Sequence, residues 1–190
     1  MQRYNLSTFE VLCVDGCAHF RKLVAAMLRR FGVNVILEAD DGQQGLNILK
    51  QHSVDIVLTE WLMEPMSGYE MVKRIRRGGE VQNPMVPVIM LTGHTEEKRV
   101  LAARDAGISE FLAKPVSPER LFHRITLVID KPRTFVKAPN YVGPDRRRFV
   151  NYDYDGPERR DTKNADRYAA DAQPKEDSKA ESPATAGASS

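Results

Sequence analysis

The sequence predicts an α/β domain, a doubly wound parallel sheet with helices on both faces, and three observations carry that reading. Over residues 9–130 a short apolar run followed by a helical period recurs five times, the alternation that builds parallel sheets. The apolar runs are continuous, not alternating, as in strands buried on both faces. Polar residues stand where four of the runs end: Asp15, Glu60, Thr92 and Lys114 after the first, third, fourth and fifth. Open α/β sheets form their sites in the crevice outside those strand ends.

The elements follow in order. Phe9 to Val14 is rich in β-formers and stops at the turn Asp15-Gly16. Phe20, Leu23, Val24, Met27, Leu28 and Phe31 then make one apolar helical face opposite Arg21, Lys22, Arg29 and Arg30, closed by Gly32. Asn34 to Glu38 is the second strand, and Asp41 caps a helix through Gln51 that buries Leu46 and Leu49. Asp55 to Thr59 is the third strand. Gly68 to Arg77 is a helix with Met71, Val72 and Ile75 inward, stopped by Gly78-Gly79. Pro87 to Leu91 is the fourth strand, with proline at its tolerated first position. Thr95 caps a helix ending near Ala106-Gly107, and Ser109 to Ala113 is a fifth strand closed by Lys114-Pro115. Ser117, with Pro118 behind it, starts a last helix that turns Leu121, Phe122, Ile125 and Val128 inward.

Composition changes after Asp130. Residues 9–130 form the domain. Residues 131–163 are a basic extension with nine Lys/Arg against five Asp/Glu, and 164–190 an acidic Ala/Ser-rich tail with five Asp/Glu against three Lys/Arg. Six of the eleven prolines and few large apolar residues fall beyond 130, so this stretch is expected to be mostly disordered and to lack a DNA-binding or catalytic output domain. The net charge of +2 is too small to point to nucleic acid or membrane. The apolar runs fall far short of the roughly 20 residues a membrane span needs, and a cytoplasmic protein is expected. Cys13 and Cys17 are expected to be two buried, reduced thiols, and the four histidines are scattered without ligand spacing.

Asp15, Glu60, Thr92 and Lys114, if the strand ends converge, make a pocket with two carboxylates, a hydroxyl and an ammonium, which suits a cation and a phosphoryl group. With Val11-Leu12-Cys13-Val14-Asp15, Asp41-Gly42, Met63 with Met66-Ser67-Gly68, Leu91-Thr92-Gly93, Ala106-Gly107 and Lys114-Pro115, residues 9–130 resemble the receiver domain of two-component response regulators, the CheY-like superfamily. The resemblance implies a five-stranded sheet of order 2-1-3-4-5 with five helices. It implies a signalling domain and not an enzyme, whose partner is a histidine kinase or a downstream target reached through the last helix-strand-helix face. It puts the phosphoacceptor position at Glu60, the acid pocket at Asp15 and Gly16, the phosphoryl contacts at Thr92 and Lys114, and the switch aromatic at Phe111. A Mg2+ site would fall on Asp15, Glu60 and Leu62.

The sequence departs from that family where the chemistry happens. Gly16 stands where the family has a second acid, and Glu60 where it has the phosphorylated Asp. Mg2+ demands near-octahedral oxygens, so its site here is weak or lost. The extra methylene of Glu60 carries its oxygens past the attack position, and about 1 Å of misplacement can cost ~10²-fold in rate. The expected protein is a phosphorylation-independent pseudo-receiver, Glu60 either holding an active-like state or simply pairing with Lys114; a weakly phosphorylatable regulator is the alternative. Trp61 is expected at the pocket rim, with simple partial burial as the alternative. A phosphatase of the haloacid dehalogenase kind would need Asp at 60 and 62, where Glu and Leu stand.

A second candidate site is a repeat: Tyr141-Val142-Gly143-Pro144-Asp145-Arg146-Arg147-Arg148 returns as Tyr154-Asp155-Gly156-Pro157-Glu158-Arg159-Arg160. Arginine forks suit phosphate, carboxylate and guanine edges. The tail resembles, more loosely, arginine-rich extensions by which certain receiver-like proteins bind cyclic di-GMP. Arg146, Arg147, Arg148, Arg159 and Arg160 are the candidate contacts. Docking on an acidic protein face and non-specific nucleic-acid binding are the rivals.

Overall fold

Strand β1 (Glu10–Val14) sets the layering, because its side chains alternate between two cores. Val11 and Cys13 pack with α1 (Ala18–Arg30) and α5 (Pro118–Asp130) on one side. Leu12 and Val14 pack with α2 (Gly42–Gln51), α3 (Gly68–Arg77) and α4 (Glu97–Asp105) on the other. The computed structural model describes residues 4–93, 97–138 and 141–145, with backbone alone at 97–100 and 137. The remaining strands of the main sheet are β2 (Val35–Ala39), β3 (Ile56–Thr59), β4 (Val88–Thr92) and β5 (Glu110–Ala113), all parallel and ordered β2-β1-β3-β4-β5. That is the doubly wound order, and its switch point between β1 and β3 is where sites form. No helix of the described residues is long and apolar enough to cross a membrane.

Local chemistry fixes the ends of the helices. Asp41 caps α2 by accepting from the backbone N–H of Gln43 and Gln44, a contact worth about 1 kcal/mol. Ser67 and Glu70 cap α3 reciprocally: Ser67 Oγ accepts from Glu70 N–H at 3.2 Å and Glu70 Oε2 from Ser67 N–H at 3.1 Å. Ser117 caps α5, its Oγ accepting from Arg120 N–H at 3.3 Å, with Pro118 as the first helical residue. The Thr95 cap lies outside the described residues. At the other end of α4, Gly107 takes φ +92°, and its N–H and that of Ile108 close on Arg104 and Ala103 carbonyls. The left-handed turn that glycine alone adopts freely therefore ends this helix.

The expectation that the chain beyond 130 buries too little to order is corrected for residues 135–138 and 141–144. Strands β6 (Phe135–Ala138) and β7 (Tyr141–Pro144) pair antiparallel into a hairpin, and β7 lies against α3. The docking rests in part on a glycine contact and a buried arginine, which hydrophobic patterning does not register. A Cβ on Gly143 would stand 2.8 Å from Gly107 Cα, so two backbones touch where two glycines meet. Arg76, 4% exposed, donates to the carbonyls of Gly107 (3.0 Å), Pro84 (2.6 Å) and Val86 (2.8 Å). The Phe135 ring covers its guanidinium at 5.0 Å. Burial lowers the Arg76 pKa to about 10, still far above neutrality, so a charged group is held here by carbonyl oxygens. Tyr141 Oη donates to Pro144 O at 2.6 Å and closes the unit on itself.

Candidate functional site

The pocket is built by backbone before side chains. Asp15 and Glu60 sit one residue past β1 and β3, tied to the sheet by Asp15 N–H to Ala39 O at 3.1 Å and Glu60 N–H to Val14 O at 2.9 Å. Lys114 follows β5, its N–H donating to Thr92 O at 2.9 Å. Gly68 brings the loop from β3 back onto the strand, where a Cβ would fall 1.9 Å from Glu60 O. Main-chain contacts thus place three of the four strand-end residues before their side chains interact.

The side chains then close on one centre. Lys114 Nζ lies 2.8 Å from Asp15 Oδ2 and 2.7 Å from Glu60 Oε2. Below it, 3.9 Å from the ammonium, is the ring of Phe20 on α1. The remaining oxygens are also engaged: Asp15 Oδ1 accepts from Cys17 N–H at 2.8 Å and Glu60 Oε1 from Trp61 N–H at 2.5 Å. Arg21 adds a second positive group, donating to Asp15 O at 2.5 Å and pairing with Glu38 at 3.4 Å. Burial works against the charge of Lys114, but its hydrogen bonds to Asp15 and Glu60 outweigh that, and its pKa rises above the ordinary 10.5. The ammonium is firmly charged at neutral pH and neutralises one of the two carboxylates it joins.

Of the predicted residues, Asp15, Glu60 and Lys114 meet at one point. Thr92 ends β4 and is fully buried, while Phe111 is half-buried on β5 beside the core of α2, α3 and α4. Gly16 is exposed, and a Cβ there would meet only Asp40 O, at an ordinary 3.7 Å. Leu62 is partly buried and packs on the core. Three readings change. Trp61 is not at the rim: it is fully buried and stacked on Tyr69 at 5.1 Å between centroids. Past the end of β3 the chain turns Glu60 to the pocket and its neighbour into the core. Cys17 is exposed, and only Cys13 is buried, its thiol pushed up to about 12 by burial. Phe20, read only as part of the α1 apolar face, is the floor of the pocket; its position one turn before the stripe's buried centre was the available signal. Arg146, Arg147, Arg148, Arg159 and Arg160 lie outside the described residues.

The donor set fits Mg2+ poorly. Two carboxylates are present, both are spanned by one ammonium, and no group of three His, Cys, Asp or Glu able to hold an ion occurs among the described residues. Mg2+ takes near-octahedral oxygen ligands, and Lys114 already holds one oxygen of each carboxylate. What the arrangement does chemically is hold an ion pair between β1, β3 and β5.

Comparisons with known proteins agree with this fold. A family model described as the response regulator receiver domain matches residues 11–126. Chemotaxis protein CheY-3 of Vibrio cholerae serotype O1 is 31% identical over 122 residues, covering 64% of this chain and 92% of that protein. A chemotaxis protein CheY homolog of Campylobacter jejuni is 30% identical over 121 residues, 63% of this chain and 92% of the relative. Among solved structures, Vibrio cholerae CheY4 superposes with a TM-score of 0.59 at 28% identity, covering 63% of this chain and 98% of that one. The CheX–CheY–BeF3–Mg2+ complex from Borrelia burgdorferi gives 0.59 at 26% identity, with 64% and 89% covered.

Proposed function

The chain belongs to the response regulator receiver domain family, and from that premise we propose that it is a two-component signalling receiver that works without phosphorylation, through contact with a protein partner. One observation carries the reading: Lys114 Nζ is held at 2.7 Å by Glu60 and at 2.8 Å by Asp15, over Phe20. Receiver domains place Mg2+ and a phosphoryl group at this point, and here an internal ion pair takes it. Glu60 carries one methylene more than Asp, and its Oε2 meets the ammonium at 2.7 Å. The ion pair links the ends of β1, β3 and β5, and on this reading a partner meets one state of the pocket.

Incubation with a small phosphodonor and Mg2+, followed by intact mass measurement, tests this. The expected spectrum is that of the unmodified chain. A stoichiometric phosphoryl adduct on Glu60 or Asp15 overturns the reading and leaves a weakly phosphorylatable regulator.

The tail reading is separate. β7 takes up Tyr141–Pro144 of the first repeat copy, and the arginines of both copies follow beyond the described residues. Cyclic di-GMP binding by Arg146, Arg147, Arg148, Arg159 and Arg160 rests on their sequence pattern and on arginine's fit to phosphate and guanine. Titration calorimetry with cyclic di-GMP at micromolar protein is expected to give heat in the full chain and none once the five arginines are replaced by alanine. Absence of heat in the full chain removes the nucleotide and leaves docking on a protein.

A further inference from the structure

The β6–β7 hairpin and the receiver meet along a seam at the end of the sheet opposite the pocket, and each side keeps hydrogen bonds of its own. The β6–β7 ladder, Tyr141 Oη to Pro144 O at 2.6 Å and Asp145 N–H to Thr134 O at 2.6 Å all lie on the hairpin side. On the other side, Arg76 donates to carbonyls of the receiver itself, those of Gly107, Pro84 and Val86. Crossing the seam are the Phe135 ring over the Arg76 guanidinium at 5.0 Å, Gly143 against Gly107, and Arg133 Nη1 donating to Ser109 O at a long 3.3 Å.

The seam is not filled. A cavity of about 200 Å3 runs along it, with Pro132, Arg133 and Phe135 on the hairpin side and Pro87, Glu110 and Val128 on the receiver side. Packed interiors close gaps of that size. The seat also works against itself. Arg76 is 4% exposed, and burial lowers its pKa to about 10, so roofing it withdraws a cation from water. The contact between ring and cation offsets that cost only in part. We propose that the hairpin is a detachable cover: β6 and β7 leave and reseat as one unit while the receiver stays folded, and the seat decides whether Arg76 is roofed or faces water. Parting leaves the hydrogen bonds named on each side in place and rehydrates the guanidinium. With the cover away, Arg76 joins its exposed neighbour Arg77 as a second accessible cation at the end of α3. The surface at this end of the receiver therefore has two forms, set by the hairpin and independent of the ion pair at the other end.

Hydrogen exchange of the full chain, read by NMR, tests the cover. The amides of β6 and β7 and the Arg76 Nε–H are expected to exchange through one common opening, with protection at least about 10²-fold below that of the amides of β1 and β3. Gly143→Ala puts a methyl carbon 2.8 Å from Gly107 Cα and 2.7 Å from Tyr141 Oη. It is expected to lower the shared protection by a further factor of about ten or more and to leave β1 and β3 unchanged. Phe135→Ala, on the other strand, is expected to lower the β7 amides and the Arg76 Nε–H together. Hairpin amides that exchange only at the rate of β1 and β3, by unfolding of the whole domain, overturn the proposal. An Arg76 Nε–H out of step with the hairpin amides overturns it too, as does a loss of β1 and β3 protection in both variants.

Discussion

A chain carrying both Gly16→Asp and Glu60→Asp is expected to take a phosphoryl group from acetyl phosphate in the presence of Mg2+, at a rate at least about 10²-fold above the wild type. The site allows the first change: a Cβ at Gly16 meets only Asp40 O at 3.7 Å, and the residue is exposed. It supplies the oxygen ligand that the donor set lacks. The second change withdraws the carboxylate by one methylene, breaks its 2.7 Å contact with Lys114 and returns the nucleophile to the attack position, where about 1 Å is worth ~10²-fold. Intact mass against time, with and without chelator, reads both effects. Glu60→Asp alone should fall short, because Asp15 remains the only other carboxylate. A folded double variant that stays unmodified would show that the loss lies deeper than these two residues.

Gly68→Ala is expected to unfold the protein or to cost about 3 kcal/mol or more in urea denaturation. The added methyl carbon would fall 1.9 Å from Glu60 O, 2.5 Å from Thr59 Oγ1 and 3.1 Å from Glu60 C. None of these is the free end of a flexible side chain, so relief requires the β3–α3 loop to move. That loop carries Gly68 N–H to Trp61 O at 3.0 Å and Gly42 N–H to Met66 O at 2.9 Å. Moving it detaches α2 and α3 from the strand that holds Glu60. Gly16→Ala, at a glycine with room for a Cβ, is the control and should change stability by less than about 1 kcal/mol.

The fold was legible because burial on both sheet faces leaves continuous apolar runs, and because caps such as Asp41 and Ser117 act within four residues of sequence. Asp15, Glu60 and Lys114 were legible for a topological reason: strand ends converge whatever lies between them. Phe20 was not, since a ring on an apolar helix stripe reads as core until the lysine from another element is seen above it. Trp61 was misplaced because the adjacent carboxylate drew it toward the pocket, although a large indole gains more by burial in the core. The hairpin was illegible for another reason. It is held by a glycine pair and by a buried arginine bound to carbonyls, and neither leaves a hydrophobic period.

Arg76 has a practical consequence for where the molecule ends. Its guanidinium satisfies carbonyls from the loop after α3 and from the turn after α4, and Phe135 is its roof. A chain cut at Asp130, where the receiver resemblance stops, strips that roof and hydrates a cation that folding had dehydrated. The turn at Gly107, which leads into β5, would then be anchored by a solvated arginine. The natural unit for biophysical work therefore runs through Asp145, and binding measured on the shorter fragment would belong to a different surface.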